Sequence, residues 1–537
     1  MRVRKCNGDR PGMFRLYNTQ PIINMSFLTI LSRQFKTNRR AMLYCTVSFI
    51  GALVFGYDNT YYNGVLAMQE LANDYGTHHD SDGKKALAPS FQSLTTSSVY
   101  IGDALGAMTA SWINDRWGRK GAFWFASFFS IAGGIVQVAD THYESVLVVG
   151  RILIGIGVGQ FTATSLLYCG EVAPVEIRGP VLNLYQFLQS VSQLVASCIT
   201  QGTEGIPTSL SYKLPMGGLV ILPLVMACVL PFIPESPLWY VLKDRPDDAV
   251  RSLYKINKSI PNYDPAADMA ALEDIKKADE YQAEASSWRA LITDAVERRK
   301  VIASAGALFS QQICGILYFY SYGVVIAQSI GMSQPFLIQL ITNVLQVFAV
   351  MACVVTSNKI RKRTNLLVTT AIMFFAFIII GGCGTTEITN ATRYVIVVIS
   401  YVTVVAYNFG QGPLTYGVAR EMAVGANQNK IMSVSVVVLY VSAWLISFTA
   451  PYLYYTANLG PMLGFVYAGT TVSSLLWVWY CVGETTGRTS IEIGVFFEKR
   501  IPVRKWESYD FADEVDVAGG KRLSPTGDVE HKEVPSV

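Results

Sequence analysis

Apolar runs of bilayer length recur along this chain, and they decide its class. A helix crossing the roughly 30 Å hydrocarbon core of a membrane needs about 20 predominantly apolar residues. Twelve stretches meet that need, near 41–66, 88–113, 121–139, 146–168, 180–201, 215–233, 300–328, 335–356, 365–383, 394–418, 431–455 and 460–482. In lipid every backbone N–H and C=O must be satisfied internally, so each run is predicted to be a helix. Composition agrees: 51% of the 537 residues are hydrophobic and 15% charged, and the mean hydropathy is +0.32. The expected fold class is an all-α membrane protein with twelve transmembrane helices in two six-helix bundles.

The division into six and six follows from the one long polar insert, about Pro234 to Arg299, which carries LKDRPDDAVRSLYKI and a Glu/Lys/Ala-rich segment. The expected segments are 1–40, an N-terminal stretch; 41–233, the first bundle; 234–299, a small helical insert; 300–482, the second bundle; and 483–537, a tail read as disordered after Trp506. Lysine and arginine in short loops set the orientation. Arg116, Arg119, Lys120, Arg178 and the 359–363 cluster share one side, which places both termini and the insert in the cytoplasm; the plasma membrane is the expected location. The sequon Asn390-Ala-Thr392 then lies outside, open to glycosylation, whereas Asn24-Met-Ser and Asn257-Lys-Ser lie inside. No cleavable signal is evident before the first apolar run. Nine scattered cysteines without CxxC or His pairing read as small core residues rather than a metal site or disulfide framework. The formal charge of +4 is too small to point to nucleic acid.

Within the apolar runs, charge is the informative exception. Arg151 opens the glycine-laced stretch GRILIGIGVGQFTATSLLYCGEVAPVEIRG, 150–179. An arginine at that depth is unfavourable unless it meets a partner or an aqueous cavity, and the glycines at 155, 157 and 159 permit close helix packing. A structural arginine tying two helices together is the plainer reading. Asp58 lies about six residues before the end of the first span and Arg151 about six after the start of the fourth, so both sit roughly 9 Å below the outer surface and can meet. A carboxylate that loses its arginine on a conformational change can take up a proton. Asp103, in the second span, is either a second titrating site or a polar helix-packing contact.

The halves echo each other. Asp115-Arg116-Trp117-Gly118-Arg119-Lys120 follows span two and Asn358-Lys359-Ile360-Arg361-Lys362-Arg363 follows span eight; Glu171-Val-Ala-Pro ends span four and Glu421-Met-Ala-Val ends span ten. Matches at corresponding spans point to a parallel repeat whose halves rock about a central site.

With these residues in hand, the chain resembles the sugar-porter branch of the major facilitator superfamily, especially its fungal members, over roughly residues 41–505. The carrying pieces are FGYD (55–58), DRWGRK (115–120), GR (150–151), EVAPVEIRG (171–179), PESPLW (234–239), QQ (311–312), GP (412–413) and ETTGR (484–488). The resemblance implies the major facilitator fold, alternating access, a sugar or sugar-like cargo, and no enzymatic chemistry or cofactor. It implies proton symport where an aspartate stands at 58. It assigns cargo binding to Gln186, Gln311, Gln312, Gly412 and Tyr416. Other positions depart from the family pattern: Leu317 stands for an asparagine, Ser321 for a tyrosine, and Leu439-Tyr440 for a Gln-Trp pair. A greasier second half favours a larger or less hydroxyl-dense cargo, such as an oligosaccharide, polyol derivative or fungal metabolite. Asp115, Arg116, Arg119, Glu171 and Arg178, with Glu421 in the second half, are expected to form a gating network of ion pairs. Asn358 for aspartate, Arg361 for glycine and Gln428 for arginine predict a weaker network there. A transporter-like nutrient sensor and an exporter remain rival readings, and the oligomeric state is open.

Overall fold

The computed structural model describes residues 38–79, 83–139, 142–173, 178–260, 263–356, 360–509, 522–523 and 529–530. The expectations for residues 1–37, for Asn358 and Lys359, for most of the tail after 509 and for the side chain of Arg178 lie outside the described residues. Among the described residues ten helical runs are long and apolar enough to cross a bilayer. The run Pro89–Val138 has 50 residues, about 75 Å of straight helix and far more than one crossing needs. It breaks at Gly118, whose φ of 78° and ψ of 178° are not helical. Both of its arms pack on the fourth span, Gly102 against Gly155 and Gly133 against the Ile154 backbone, so the run doubles back and supplies spans two and three. Arg178–Thr203, 26 residues long, supplies the fifth. The fold is all-helical, with twelve spans in two sets of six and a helical insert between them.

Glycine and proline account for the breaks in spans seven and ten. In the seventh, Ala295–Ile313 and Ile316–Ser329 are separated at Gly315, which holds φ +80° where a Cβ would strike the Tyr467 ring at 2.6 Å. In the tenth, Asn390–Phe409 and Gln411–Met422 part at Gly410. Pro413 has no N–H to offer the Phe409 carbonyl, and Asn365 Nδ2 donates to that oxygen instead, at 3.1 Å. Gln311 stitches the two breaks together, its Nε2 donating to the carbonyls of Gln411 at 3.0 Å and Gly412 at 2.8 Å.

The interior is more polar than the surface that meets lipid. Trp112, Phe128, Phe348 and Phe375 are exposed, whereas Gln193, Ser197, Asn343 and Gln346 are buried. Several hydrogen bonds join the halves directly. Val324 N donates to Asn63 Oδ1 (3.1 Å), Gln328 Nε2 to Ala67 O (2.8 Å) and Ser93 Oγ to Phe448 O (2.5 Å); Asn343 donates to Ser197 and Gln346 to Gln193. All lie between the midplane and the face opposite the insert, called the outer face below. The halves are therefore closed against each other on that side.

The insert forms helices Pro237–Leu242, Pro246–Ile256 and Ala266–Ala285. Its end docks on the loop after span ten through Ser287 N to Asn427 Oδ1 at 2.9 Å. Beyond span twelve, Ser490–Glu498 is a helix with a full capping box, Thr489 with Glu492. Trp506 is buried against Phe496, ring centroids 4.8 Å apart.

Candidate functional site: a buried ion pair, a broken-helix cavity wall and two charge clamps

Asp58 and Arg151 meet. Arg151 NH1 donates to Asp58 Oδ1 at 2.8 Å and to the Tyr61 hydroxyl at 3.1 Å, and its Nε donates to Thr95 O at 3.2 Å. The guanidinium also lies over the Tyr62 ring, 4.4 Å from its centroid. Tyr61 in turn donates to Gln137 Oε1 at 2.8 Å. Both charged side chains are buried, 3% and 4% exposed. A guanidinium with a carboxylate, a hydroxyl, a carbonyl and a π-face around it is compensated, which is the condition for keeping it inside a membrane protein. Beside the pair is a cavity of about 10 Å³ lined by Asn59, Asn63, Thr96, Tyr100 and Ser321 as well, the lower limit for one water.

The residues assigned to cargo sit on spans five, seven and ten. Gln311 is buried and committed to the tenth-span carbonyls. Gln312 is half-buried, with its Nε2 3.5 Å from Gln311 Oε1. Gln186, Gly412 and Tyr416 are half-buried, and Tyr416 packs on Ala307, Leu308 and Ala419. Tyr440 lies within electrostatic range of Tyr416 in its own half and of Tyr185 and Asp103 in the other. Tyr320, hydrogen-bonded by Asn408 Nδ2 at 2.5 Å, is a further polar aromatic at this level that the sequence reading passed over. Leu317 and Ser321 are buried. Gln311 thus has a structural duty that its sequence position does not announce.

On the insert side each half carries one clamp of the same design. In the first, Arg119 makes a bidentate pair with Glu171, 2.5 Å and 2.8 Å, and Glu235 accepts the amides of Arg119 (3.0 Å), Lys120 (3.0 Å) and Ser236 (2.9 Å). Burial pushes the Glu235 carboxyl up from its ordinary range, and those three amides and Arg119 oppose the shift. In the second, Lys362 Nζ pairs with Glu421 at 2.5 Å, and Glu484 accepts the amides of Lys362 and Arg363, both 3.2 Å. The repeat seen in the sequence is therefore a repeat of hydrogen bonds. Arg119 and Glu171 are 4% and 7% exposed, Lys362 and Glu421 22% and 36%, so the second pair sits in higher dielectric. Arg119 binds within its own half, while Asp115 is exposed and Arg116 lies exposed over the Trp112 ring at 5.8 Å. Asn390 is exposed at the start of its helix, after the Thr389 cap.

Residues 44–497 match the family described as sugar (and other) transporter. The chain belongs to that family. The transporter is 26% identical over 474 residues to the low-affinity glucose transporter HXT3 of Saccharomyces cerevisiae, covering 86% of this chain and 83% of the relative. It is 28% identical over 476 residues to the high glucose sensor RGT2 of the same yeast, covering 84% of this chain and 60% of the sensor. Among solved structures it is similar to the proton:xylose symporter XylE bound to 6-bromo-6-deoxy-D-glucose, at 20% identity and a TM-score of 0.69, covering 86% of this chain and all of that one. It is equally similar to the inward-open form of XylE from E. coli, again with a TM-score of 0.69 and 20% identity, over 85% and 99% of the two chains. That likeness carries the fold, which is the major facilitator fold.

Proposed function

We propose that this transporter moves a sugar or sugar-like solute by alternating access, with a proton travelling in the same direction and Asp58 as its carrier. The observation that carries the reading is the Asp58–Arg151 pair, 2.8 Å apart and buried between spans one and four. With Arg151 in place Asp58 is held ionised; with Arg151 drawn away a lone buried carboxylate takes a proton. XylE is named a proton:xylose symporter and the yeast relatives are named for glucose, in keeping with this reading. The clustering of inter-half hydrogen bonds toward the outer face supports an outer-closed state whose counterpart opens there. Gln186, Gln312, Gly412 and Tyr416 then contact cargo, and Gln311 acts by shaping the tenth-span break. The apolar Leu317 and the Leu439-Tyr440 pair favour a cargo with fewer hydroxyls on one face than glucose presents, such as an oligosaccharide or polyol derivative. Arg119–Glu171 and Lys362–Glu421, each within its own half, brace a cytoplasmic face so that each half moves as a unit during gating, and the plasma membrane is the proposed site of action.

The test is radiolabelled uptake into a transporter-null yeast, screened over hexoses, disaccharides and polyols, with a protonophore and with Asp58→Asn. Protonophore-sensitive accumulation that Asp58→Asn abolishes while exchange persists is the expected result. Accumulation unchanged in Asp58→Asn would remove Asp58 from coupling. The likeness to a sensor keeps one rival in view, and ligand-dependent signalling without flux would favour it.

A further inference from the structure

Asp103 takes no part in the scheme above, although it is an acid inside the second span, 2% exposed, whose Oδ1 has no hydrogen-bond partner. Its backbone is wedged against the helix that carries Arg151. A Cβ on Gly155, one turn past Arg151, would stand 2.8 Å from Asp103 N, and one on Gly159, two turns past, 2.3 Å from its carbonyl oxygen. Thr96, Val99 and Tyr100 wall the small cavity that holds Asp58 and Arg151. Asp103 follows them at i+7, i+4 and i+3, on the same face of the helix and one turn nearer the insert side. The titratable and charged groups around it are Asp58 from span one, Arg151 from span four, Tyr100 on its own helix and Tyr440 from span eleven.

One guanidinium therefore stands within electrostatic range of two carboxyls and bonds only one of them. Arg151 spends its NH1 on Asp58 and Tyr61 and its Nε on Thr95 O, and the Asp103 Oδ1 is left bare. An ionised carboxylate in that condition is strongly disfavoured inside a membrane protein, and a neutral acid much less so. We propose that Asp103 is a second proton site in series with Asp58, one turn further along the route to the insert side. The inference rests on the proton-coupling reading above. In the outer-closed state the O–H bond of protonated Asp58 breaks and an O–H bond forms on Asp103, relayed by the hydroxyl of Tyr100, which lines the cavity beside Asp58. The negative charge moves from Asp103 to Asp58, where Arg151 compensates it. Tyr440 of span eleven lies within electrostatic range of the loaded acid, and in the proposed cycle movement of span eleven away from Asp103 opens it to water for release.

The first test uses protons as the only ligand. Infrared spectroscopy of the purified full chain in lipid vesicles is expected to show a protonated-carboxyl C=O band near neutral pH that is lost in Asp103→Asn and shifted in Asp103→Glu. A band unchanged in Asp103→Asn would overturn the proposal. The second test is uptake of whichever hexose, disaccharide or polyol the wild-type chain accumulates. Asp103→Asn should lose protonophore-sensitive accumulation and keep exchange, with Asp103→Glu recovering accumulation. Loss of exchange in both variants would make Asp103 a packing residue and overturn the proposal. If Asp58→Asn abolishes accumulation while Asp103→Asn leaves it intact, the series arrangement fails and coupling through Asp58 stands. If accumulation in the wild type ignores a protonophore, both fall.

Discussion

Gly118→Ala is predicted to be the most damaging single-methyl change on the insert side of the first half. At φ 78° and ψ 178° the backbone occupies a region that is essentially reserved for glycine, and forcing an L-residue there costs about 1–3 kcal/mol. The added Cβ would also stand 2.4 Å from Glu235 Oε2 and 2.9 Å from its Cδ. A flexible exposed carboxylate would step aside, but this one is 8% exposed and pinned by the amides of Arg119, Lys120 and Ser236. Moving it breaks at least one hydrogen bond to a charged group, about 1.5–3 kcal/mol. The sum is about 2.5–6 kcal/mol, well beyond the range of about 0.5 kcal/mol for ordinary surface changes. The matching position in the second half is an internal control. Arg361 has φ −62° and ψ 125°, an extended conformation any residue adopts, and its contact with Glu507 is exposed, so Arg361→Ala should change stability by no more than about 1 kcal/mol. The assay is thermal unfolding in lipid nanodiscs, read by labelling of the buried thiols Cys45 and Cys169. A Gly118→Ala protein whose thiols become reactive at the wild-type temperature would refute the reasoning from both backbone and Glu235.

Three further outcomes follow from the same geometry. Asp58→Asn should reduce the accumulation ratio, because one proton crossing 100 mV supplies about 2.3 kcal/mol, equivalent to roughly a 50-fold gradient; isotope accumulation under an imposed potential checks it. Arg119→Ala leaves Glu171 buried without its partner and should destabilise by about 3–5 kcal/mol, whereas Lys362→Ala removes a partly exposed pair and should change stability by about 0–1 kcal/mol; equal losses would undo the argument from burial. Asn365→Leu strands the Phe409 carbonyl beside Pro413 and should cost about 1–3 kcal/mol, with raised hydrogen exchange confined to the tenth-span break.

What the sequence disclosed depended on whether a residue acts through its own neighbourhood or through a distant partner. Span length and the repeated basic and acidic loop segments are local properties, so the helices, the polar break between spans two and three and the correspondence of the halves were legible. Asp58 and Arg151 were paired by counting residues from the span ends, which works because a straight helix converts sequence position into depth. Depth says nothing about which face a side chain takes, and this is why Asp103 read first as a packing contact and only second as chemistry. Gln311 shows the same limit. A glutamine suits a sugar hydroxyl or a freed carbonyl equally, and only the break at Gly410 reveals that two carbonyls claim it.

The most instructive omission is Glu235 with Glu484. Both stood in recognised stretches, PESPLW and ETTGR, with no task assigned, because each accepts amides more than 100 residues away in sequence. A signal was nevertheless present: one acid follows the last span of each half and can cap the turn after the second span of that half. Polar spacing gave a second unused signal. Gln193, Ser197 and Thr200 on span five, and Gln339, Asn343 and Gln346 on span eight, recur at three to four residues within apolar helices, a pattern that in lipid marks a face turned to another helix. The structure presses these two stripes together between the halves, Asn343 to Ser197 and Gln346 to Gln193. Because amide-to-amide and amide-to-hydroxyl contacts can exchange for water at small net loss, this seam is suited to repeated parting in a way that a buried ion pair is not. The physical division of labour follows: charge holds each half rigid at Glu171, Glu235, Glu421 and Glu484, and neutral polar groups join the halves to each other. Replacing Gln346 by Glu would put a lone charge into the seam and should favour the parted state, so cysteine labelling at the outer ends of spans one and seven should rise in Gln346→Glu; labelling equal to wild type would show that the seam is not where the halves separate.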